Sequence, residues 1–106
     1  MNKILSENEI KQFREEGAVF LKNKFDITWI NKLRTGIKRD IKNPSPRFKS
    51  HTIQKDLPAY LEDYWTWHLV PEFKEFVYNS PYARIASELM SAEKINLVMD
   101  NWFLRE

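Results

Sequence analysis

The chain has 106 residues and a net charge of +2, with 42% hydrophobic residues, 14% aromatic residues and no cysteine. This length suits one domain or part of one, and the absence of cysteine excludes disulfides and thiolate metal sites. No apolar segment is long enough to cross a bilayer, and the N-terminus lacks the apolar region of a signal peptide. These features predict a cytoplasmic protein without a membrane partner.

The first predicted element is a helix over residues 7–16. Ser6 and Glu9 have the spacing of a capping box, in which each side chain accepts a hydrogen bond from the other residue's backbone amide. Gly17 follows, and glycine readily adopts the positive φ at which many helices end. The next residues, Ala18-Val19-Phe20-Leu21, are apolar and partly β-branched, which predicts a short strand.

A longer helix is predicted from the apolar residues that recur at spacings of three and four over 27–41. Asp26 or Thr28 caps its start, and Asn43-Pro44-Ser45-Pro46 ends it because proline cannot continue a helix. Gly36, in the middle of this helix, either costs about 1 kcal/mol relative to alanine or marks close packing.

The second half of the chain is predicted to hold two short helices and a strand. Pro71 and the pair Ser80-Pro81 favour helix starts, since proline suits the first helical position. The inward side chains of the second helix are expected to be Ile85, Ala86, Leu89 and Met90. Residues 95–104 predict a strand, and both of its faces are expected to be covered because neither alternating set of side chains is purely polar.

Two stretches before these helices are less regular. Residues 43–58 form a long polar connection of a kind that is usually functional or disordered. Residues 60–69 are rich in aromatic side chains and ambiguous in conformation. Their tryptophans are interpreted as core residues, with a ligand-stacking platform as the alternative.

The titratable residues present no sequence motif for catalysis. Neither His51 nor His68 has an acid two positions further on, as a His-x-Asp iron motif requires. The pairs Glu15-Glu16 and Glu62-Asp63 are adjacent in sequence and are interpreted as solvated surface rather than acid/base dyads. No catalytic residue and no metal ligand is therefore assigned in this chain.

Positive charge is concentrated over residues 32–49, where seven basic residues stand against Asp40. A nucleic acid or another polyanion could bind this segment through phosphate contacts, with Phe48 stacking on a base. The favoured interpretation is a helix that buries its apolar stripe and turns its charges to water.

The elements together resemble the start of the phytanoyl-CoA dioxygenase family of iron(II)/2-oxoglutarate oxygenases. The opening that carries the resemblance is Leu5-Ser6-x-x-Glu9-Ile10-x-x-Phe13-x-x-x-Gly17-Ala18-Val19-Phe20-Leu21. The middle and last pieces are Trp67-His68-Leu69-Val70-Pro71-Glu72-Phe73, then Ser80-Pro81-Tyr82-Ala83-Arg84-Ile85-Ala86-Ser87-Glu88-Leu89-Met90, then Asn96-Leu97-Val98-Met99-Asp100-Asn101-Trp102-Phe103-Leu104-Arg105. Residues 1–106 would be the N-terminal part of a single such domain.

The resemblance implies an α+β fold in which helices pack outside the first strands of a double-stranded β-helix, or jelly roll. It implies iron(II) and 2-oxoglutarate as cofactors of the full-length family, and hydroxylation of a small organic or acyl substrate. In the family a polar residue at about the place of Asp100 points toward substrate or co-substrate, so Asp100 is the first candidate to line that pocket, followed by Asn101, Trp102 and Leu104. The alternative role for Asp100 is a strand-edge or turn hydrogen bond.

The same resemblance places the family's iron ligands after the last strand of this chain. The chain is therefore expected to be truncated before the iron motif, to bind no cofactor alone and to be inactive alone. The basic segment 32–49 would border the active-site mouth, where its cations could meet an anionic substrate. Two competing hypotheses are a small α+β binding module that uses residues 32–49 and an interaction domain without a ligand.

Overall fold

A computed structural model describes residues 3–106 of the chain. Over these residues the fold is α+β, as predicted, with four helices and a three-stranded antiparallel sheet in the order β1-β2-β3. The elements are α1 (Glu7–Glu16), α2 (Ile27–Lys42), β1 (Lys49–Ser50), β2 (Tyr60–Tyr64), α3 (Pro71–Asn79), α4 (Tyr82–Met90) and β3 (Asn101–Arg105). None of the helices within 3–106 combines the length and apolarity needed to cross a membrane.

The predicted capping of α1 is confirmed. Ser6 Oγ accepts a hydrogen bond from the Glu9 amide at 3.1 Å, and Glu9 Oε1 accepts one from the Ser6 amide at 2.8 Å. Gly17 ends the helix with a φ of 78°, in the left-handed region that glycine tolerates best. The bounds of the helix are those predicted.

The start of α2 and the role of its glycine are both decided by the structure. Asp26 caps the helix, and its Oδ1 accepts a hydrogen bond from the Thr28 amide at 2.9 Å. A Cβ added at Gly36 would lie 2.5 Å from Cε1 of Phe73. Gly36 therefore marks close packing between α2 and α3.

The strand predicted at residues 18–21 is wrong. These residues form an irregular segment between α1 and α2. No strand within 3–106 lies alongside them, so their backbone has no ladder to join. Leu21 packs against the core next to α1, whereas Phe20 is 76% exposed.

The strand predicted over 95–104 is too long, because pairing begins only at Asn101. The register of β2 with β3 ends where Tyr64 lies opposite Asn101, and Trp65 then turns the chain with a φ of 55°. The expectation that both faces are covered is also wrong within 3–106. Trp102 is buried, but Phe103 on the opposite face is 55% exposed.

The core forms in two places. One cluster joins Leu5 and Ile10, near α1, to Ile85 of α4, and the other joins Val70 and Phe73 to Trp102 of β3. The prediction of inward-facing residues in α4 therefore holds for Ile85. It is wrong for Met90, which is 63% exposed in the last turn of the helix.

Candidate functional site

An open apolar groove of about 320 Å³ lies between the helix pair α2–α3 and the segment that leads into β3. Its walls are Leu33, Ile37, Trp67, Phe73, Phe76, Val77, Tyr82, Leu97, Met99, Asp100, Asn101 and Trp102. We call this feature the apolar groove. It borders the second core cluster, with which it shares Phe73 and Trp102.

The structure brings three of the four sequence-predicted site residues to this groove. Asp100, Asn101 and Trp102 line one wall, at the start of β3. Leu104 does not line the groove and instead packs into the second core cluster. Side chains alternate between the two faces along β3, so the exposed Asn101 and its buried neighbour Trp102 lie on opposite faces of the strand.

The Asp100 carboxylate is held by the turn that follows β2. Its Oδ1 accepts hydrogen bonds from the amides of Thr66, at 3.0 Å, and Trp67, at 3.1 Å. Its Oδ2 accepts a further bond from Thr66 Oγ1 at 2.9 Å. The geometry is that of the turn hydrogen bond considered as the alternative role, and the exposed polar side chain at the groove is Asn101.

A pair of carboxyl groups lies buried beside the groove. Asp40 on α2 is 1% exposed, and Asp63 on β2 is 0% exposed. Asp63 lies opposite Trp102 in the register of β2 with β3. Trp102, which lines the groove, donates its indole N–H to Asp40 Oδ2 at 3.1 Å.

Asp63 is the ionised member of this carboxyl pair. Ser45 donates its amide to Asp63 Oδ2 at 3.0 Å and its hydroxyl to Asp63 Oδ1 at 2.5 Å, and the Tyr64 amide donates at 2.8 Å. Burial opposes ionisation, but hydrogen bonds from Asp40, Ser45 and Tyr64 outweigh it and hold the pKa of Asp63 below its ordinary value.

Asp40 is the protonated member. Burial, followed by the hydrogen bond and charge of Asp63, raises the pKa of Asp40 to about 7. The indole of Trp102 acts in the opposite direction and only in part offsets this rise. The pair therefore holds one proton between two carboxyl groups in mildly acidic solution, below the pKa of Asp40 and above that of Asp63.

The interpretation of Glu62-Asp63 as solvated surface is wrong for Asp63, and the sequence reasoning also missed its partner Asp40. The signal was present in the spacing. Asp40 lies three residues after Ile37 on the apolar stripe of α2, and Asp63 lies two residues after Leu61 on the inner face of β2.

The histidines do not converge on a metal site. His51 Nε2 lies 2.8 Å from Glu62 Oε1, and His68 packs against the rings of Trp65 and Trp67. Within 3–106 no three His, Asp or Glu side chains are grouped so that they could hold a metal ion. The described residues therefore do not fit an iron centre, and no catalytic step through iron is assigned to them.

Much of the basic segment is committed to contacts within the chain. Arg39 forms a two-pronged ion pair with Glu72, with Nε–Oε1 at 2.7 Å and Nη2–Oε2 at 2.8 Å. Arg47 Nε donates to the Tyr64 carbonyl at 3.0 Å. Phe48 packs 6.2 Å from the ring of Trp102, ring centre to ring centre, at the second core cluster.

Comparisons with known proteins find no family model, no curated protein and no solved structure that matches this chain.

Proposed function

We propose that this chain binds an uncharged apolar small molecule, or the acyl part of one, in the apolar groove. The observation that carries the proposal is the lining, in which every side chain except Asp100 and Asn101 is apolar or aromatic. Ligand sites are typically lined in this way, with a few polar groups that fix orientation, and with volumes of about 300–1,000 Å³.

The polar groups of the groove favour a ligand without a strong negative charge. Among the residues that the structure describes, no lysine, arginine or histidine lines the groove, so an anionic group would find no cationic partner there. The Asp100 carboxylate is already satisfied by Thr66 and Trp67. The Tyr82 hydroxyl and Asn101 are the remaining polar groups of the lining for a carbonyl or hydroxyl group of the ligand.

Fluorescence titration with N-phenyl-1-naphthylamine, a neutral apolar probe, tests this proposal. Met99→Asp places a carboxylate on the groove wall, and we expect it to weaken probe binding by about tenfold or more. Val98→Asp is the matched control, since Val98 is 88% exposed and does not line the groove. Equal affinity in both variants, or no binding to the unmodified chain, contradicts the proposal.

We also propose that the chain belongs to a domain of the phytanoyl-CoA dioxygenase type, in which the groove forms part of the substrate pocket. The sequence resemblance supports this, and so does the sheet. Among residues 3–106, β3 pairs with β2 alone, which leaves its other edge without a partner. With Phe103 and Met99 more than half exposed beside that edge, further strands of a jelly roll could pair there.

The intact mass of the protein from the cells that make it tests the family proposal. A mass well above 12.8 kDa, together with release of succinate from 2-oxoglutarate in the presence of iron(II), is the expected result. A mass of 12.8 kDa without that activity contradicts the family proposal and leaves the groove proposal standing.

Polyanion binding through residues 32–49 is the alternative function. The observation in its favour is that Arg34, Lys38 and Lys42 are exposed along α2. A fluorescence anisotropy titration with single-stranded DNA at low salt tests it, because phosphate contacts weaken as salt rises. Binding that Lys38→Ala with Lys42→Ala reduces would support this alternative, and no change in anisotropy would dismiss it.

A further inference from the structure

We propose that Asp40 and Asp63 form a proton-sharing latch between α2 and β2, and that loss of the shared proton loosens the apolar groove. The latch comprises these two side chains alone. Its coupling to ligand binding depends on the groove function proposed above, whereas the latch itself does not.

The geometry of the latch supports a shared proton. Both side chains are almost fully buried, and both lie against Trp102, since Asp63 is its cross-strand neighbour and Asp40 accepts its indole N–H. Two carboxylates in such a place cannot both be ionised without strong repulsion. Since Asp63 already accepts from Ser45 and Tyr64, the proton lies on Asp40.

Within residues 3–106, the two arginines that flank the latch in sequence are engaged elsewhere, and the lysines two positions either side of Asp40 are exposed to solvent. Asp100, which precedes β3, adds a further negative charge near Asp40. Arg39, the next residue on α2, is engaged with Glu72 of α3. Arg47, after Ser45, donates to the backbone carbonyls of Tyr64 and Trp65 instead.

The outward-facing groups of the sheet do not neutralise the pair either. Glu62 lies next to Asp63 on β2, on the opposite face of the sheet, and contacts His51. The proton is therefore the group that balances the second buried carboxyl, and its removal leaves two like charges between helix and sheet.

Trp102 connects the latch to the groove. Its indole N–H donates a hydrogen bond to Asp40 of α2. Its ring lines the groove together with Leu33 and Ile37, which also belong to α2. Repulsion between Asp40 and Asp63 would push α2 away from β2. The groove walls would then separate, and an apolar ligand would lose contact area.

Linkage fixes the sign of the pH effect. The pKa of Asp40 is raised from 3.8 to about 7 in the folded chain, so folding retains a proton that the unfolded chain releases. Stability from this proton is complete below pH 3.8 and is lost as pH rises toward about 7. The unfolding equilibrium constant should rise by nearly tenfold from pH 5 to 6 and by about fivefold from pH 6 to 7, then level off above about pH 8.

The first experiment is urea unfolding of the unmodified chain, Asp40→Asn and Asp56→Asn from pH 5 to 9. An asparagine side chain imitates the protonated acid and cannot ionise, so we expect the rise between pH 5 and 7 to disappear in Asp40→Asn. Asp56 is exposed, and Asp56→Asn should keep the rise. If the unfolding equilibrium constant of the unmodified chain does not change with pH over this range, the proposed latch is overturned. This result is decisive even if Asp40→Asn fails to fold.

The second experiment is the N-phenyl-1-naphthylamine titration at pH 6 and pH 8.5. We expect binding about fivefold weaker at pH 8.5 in the unmodified chain and equal at both pH values in Asp40→Asn. If the affinity for the probe is the same at both pH values while the stability of the chain changes with pH, the proposed coupling between latch and groove is overturned. Absence of binding at any pH defeats the groove function, while the unfolding series still decides the latch.

Discussion

Asp100 and Thr66 are joined by two hydrogen bonds, from the Thr66 amide to Oδ1 at 3.0 Å and from Thr66 Oγ1 to Oδ2 at 2.9 Å. This contact ties the turn after β2 to the residue that precedes β3. It fixes where the sheet ends and where the apolar groove begins, because Trp67 and Asp100 both line that groove.

Replacement of Asp100 should therefore act on stability. Thr66 is 0% exposed, so Asp100→Ala leaves its amide and hydroxyl without a partner and should lower the free energy of unfolding by about 2–4 kcal/mol. Asp100→Asn keeps one acceptor oxygen and should lose less. Urea unfolding measures both variants. A stability loss below about 1 kcal/mol, combined with lost probe binding, would instead show that Asp100 acts on the ligand.

Gly36 should not tolerate a side chain. A Cβ at this position would lie 2.5 Å from Cε1 of Phe73, which is buried in the second core cluster. Overpacking should outweigh the gain in helix propensity, so Gly36→Ala should lower the free energy of unfolding by about 1–2 kcal/mol. Arg34→Ala, at an exposed position of α2, is the control. A Gly36→Ala chain as stable as the original would show that the Phe73 ring can move aside.

The segment before α1 should detach from α4 in acid. Burial opposes ionisation of Glu88, but hydrogen bonds from the amides of Leu5 and Ile4 outweigh it and hold the pKa of Glu88 below its ordinary value of 4.5. A carboxyl with a lowered pKa stabilises the fold above its unfolded pKa, and this stabilisation is lost as pH falls. Thermal unfolding should show a loss of stability below about pH 4.5.

Glu88→Gln isolates this contribution. At pH 6 the variant should lose about 1–3 kcal/mol, because each Glu88 oxygen accepts from a different amide, whereas glutamine keeps one acceptor oxygen and turns an NH2 group toward the other amide. Its stability should also change less between pH 6 and pH 3. Glu93→Gln, at an exposed position, should behave like the unmodified chain. Identical acid profiles for Glu88→Gln and the unmodified chain would contradict the assignment.

Local signals in the sequence predicted the helices well, since caps and breakers act over a few residues. Ser6 with Glu9, the Asp26 cap and Pro71 each mark a boundary that depends on nearby backbone groups only. Strands depend on partners distant in sequence, and the prediction over 18–21 failed because no partner strand within 3–106 lies there. The left-handed turn at Trp65, which limits β3, has no local signal comparable to a glycine.

The sequence predicted the part of the candidate site that lies within one segment, but not the part that joins residues distant in sequence. Asp100, Asn101 and Trp102 were singled out from one segment, and the structure places all three on the groove. The carboxyl pair joins residues 40 and 63, on different elements, and its burial depends on how α2 lies over the sheet. The apolar periodicity of α2 and of β2 marks the inner face of each element. It does not show that Asp40 and Asp63, one on each inner face, come together in the fold.

Indole nitrogen–proton NMR spectra give the most direct test of the groove, because the four tryptophans divide evenly around it. Trp67 and Trp102 line the groove, whereas Trp29 and Trp65 do not. On saturation with N-phenyl-1-naphthylamine, the account predicts shifts of the Trp67 and Trp102 indole signals and little change in the other two. Unchanged spectra, or shifts confined to Trp29 and Trp65, would contradict it.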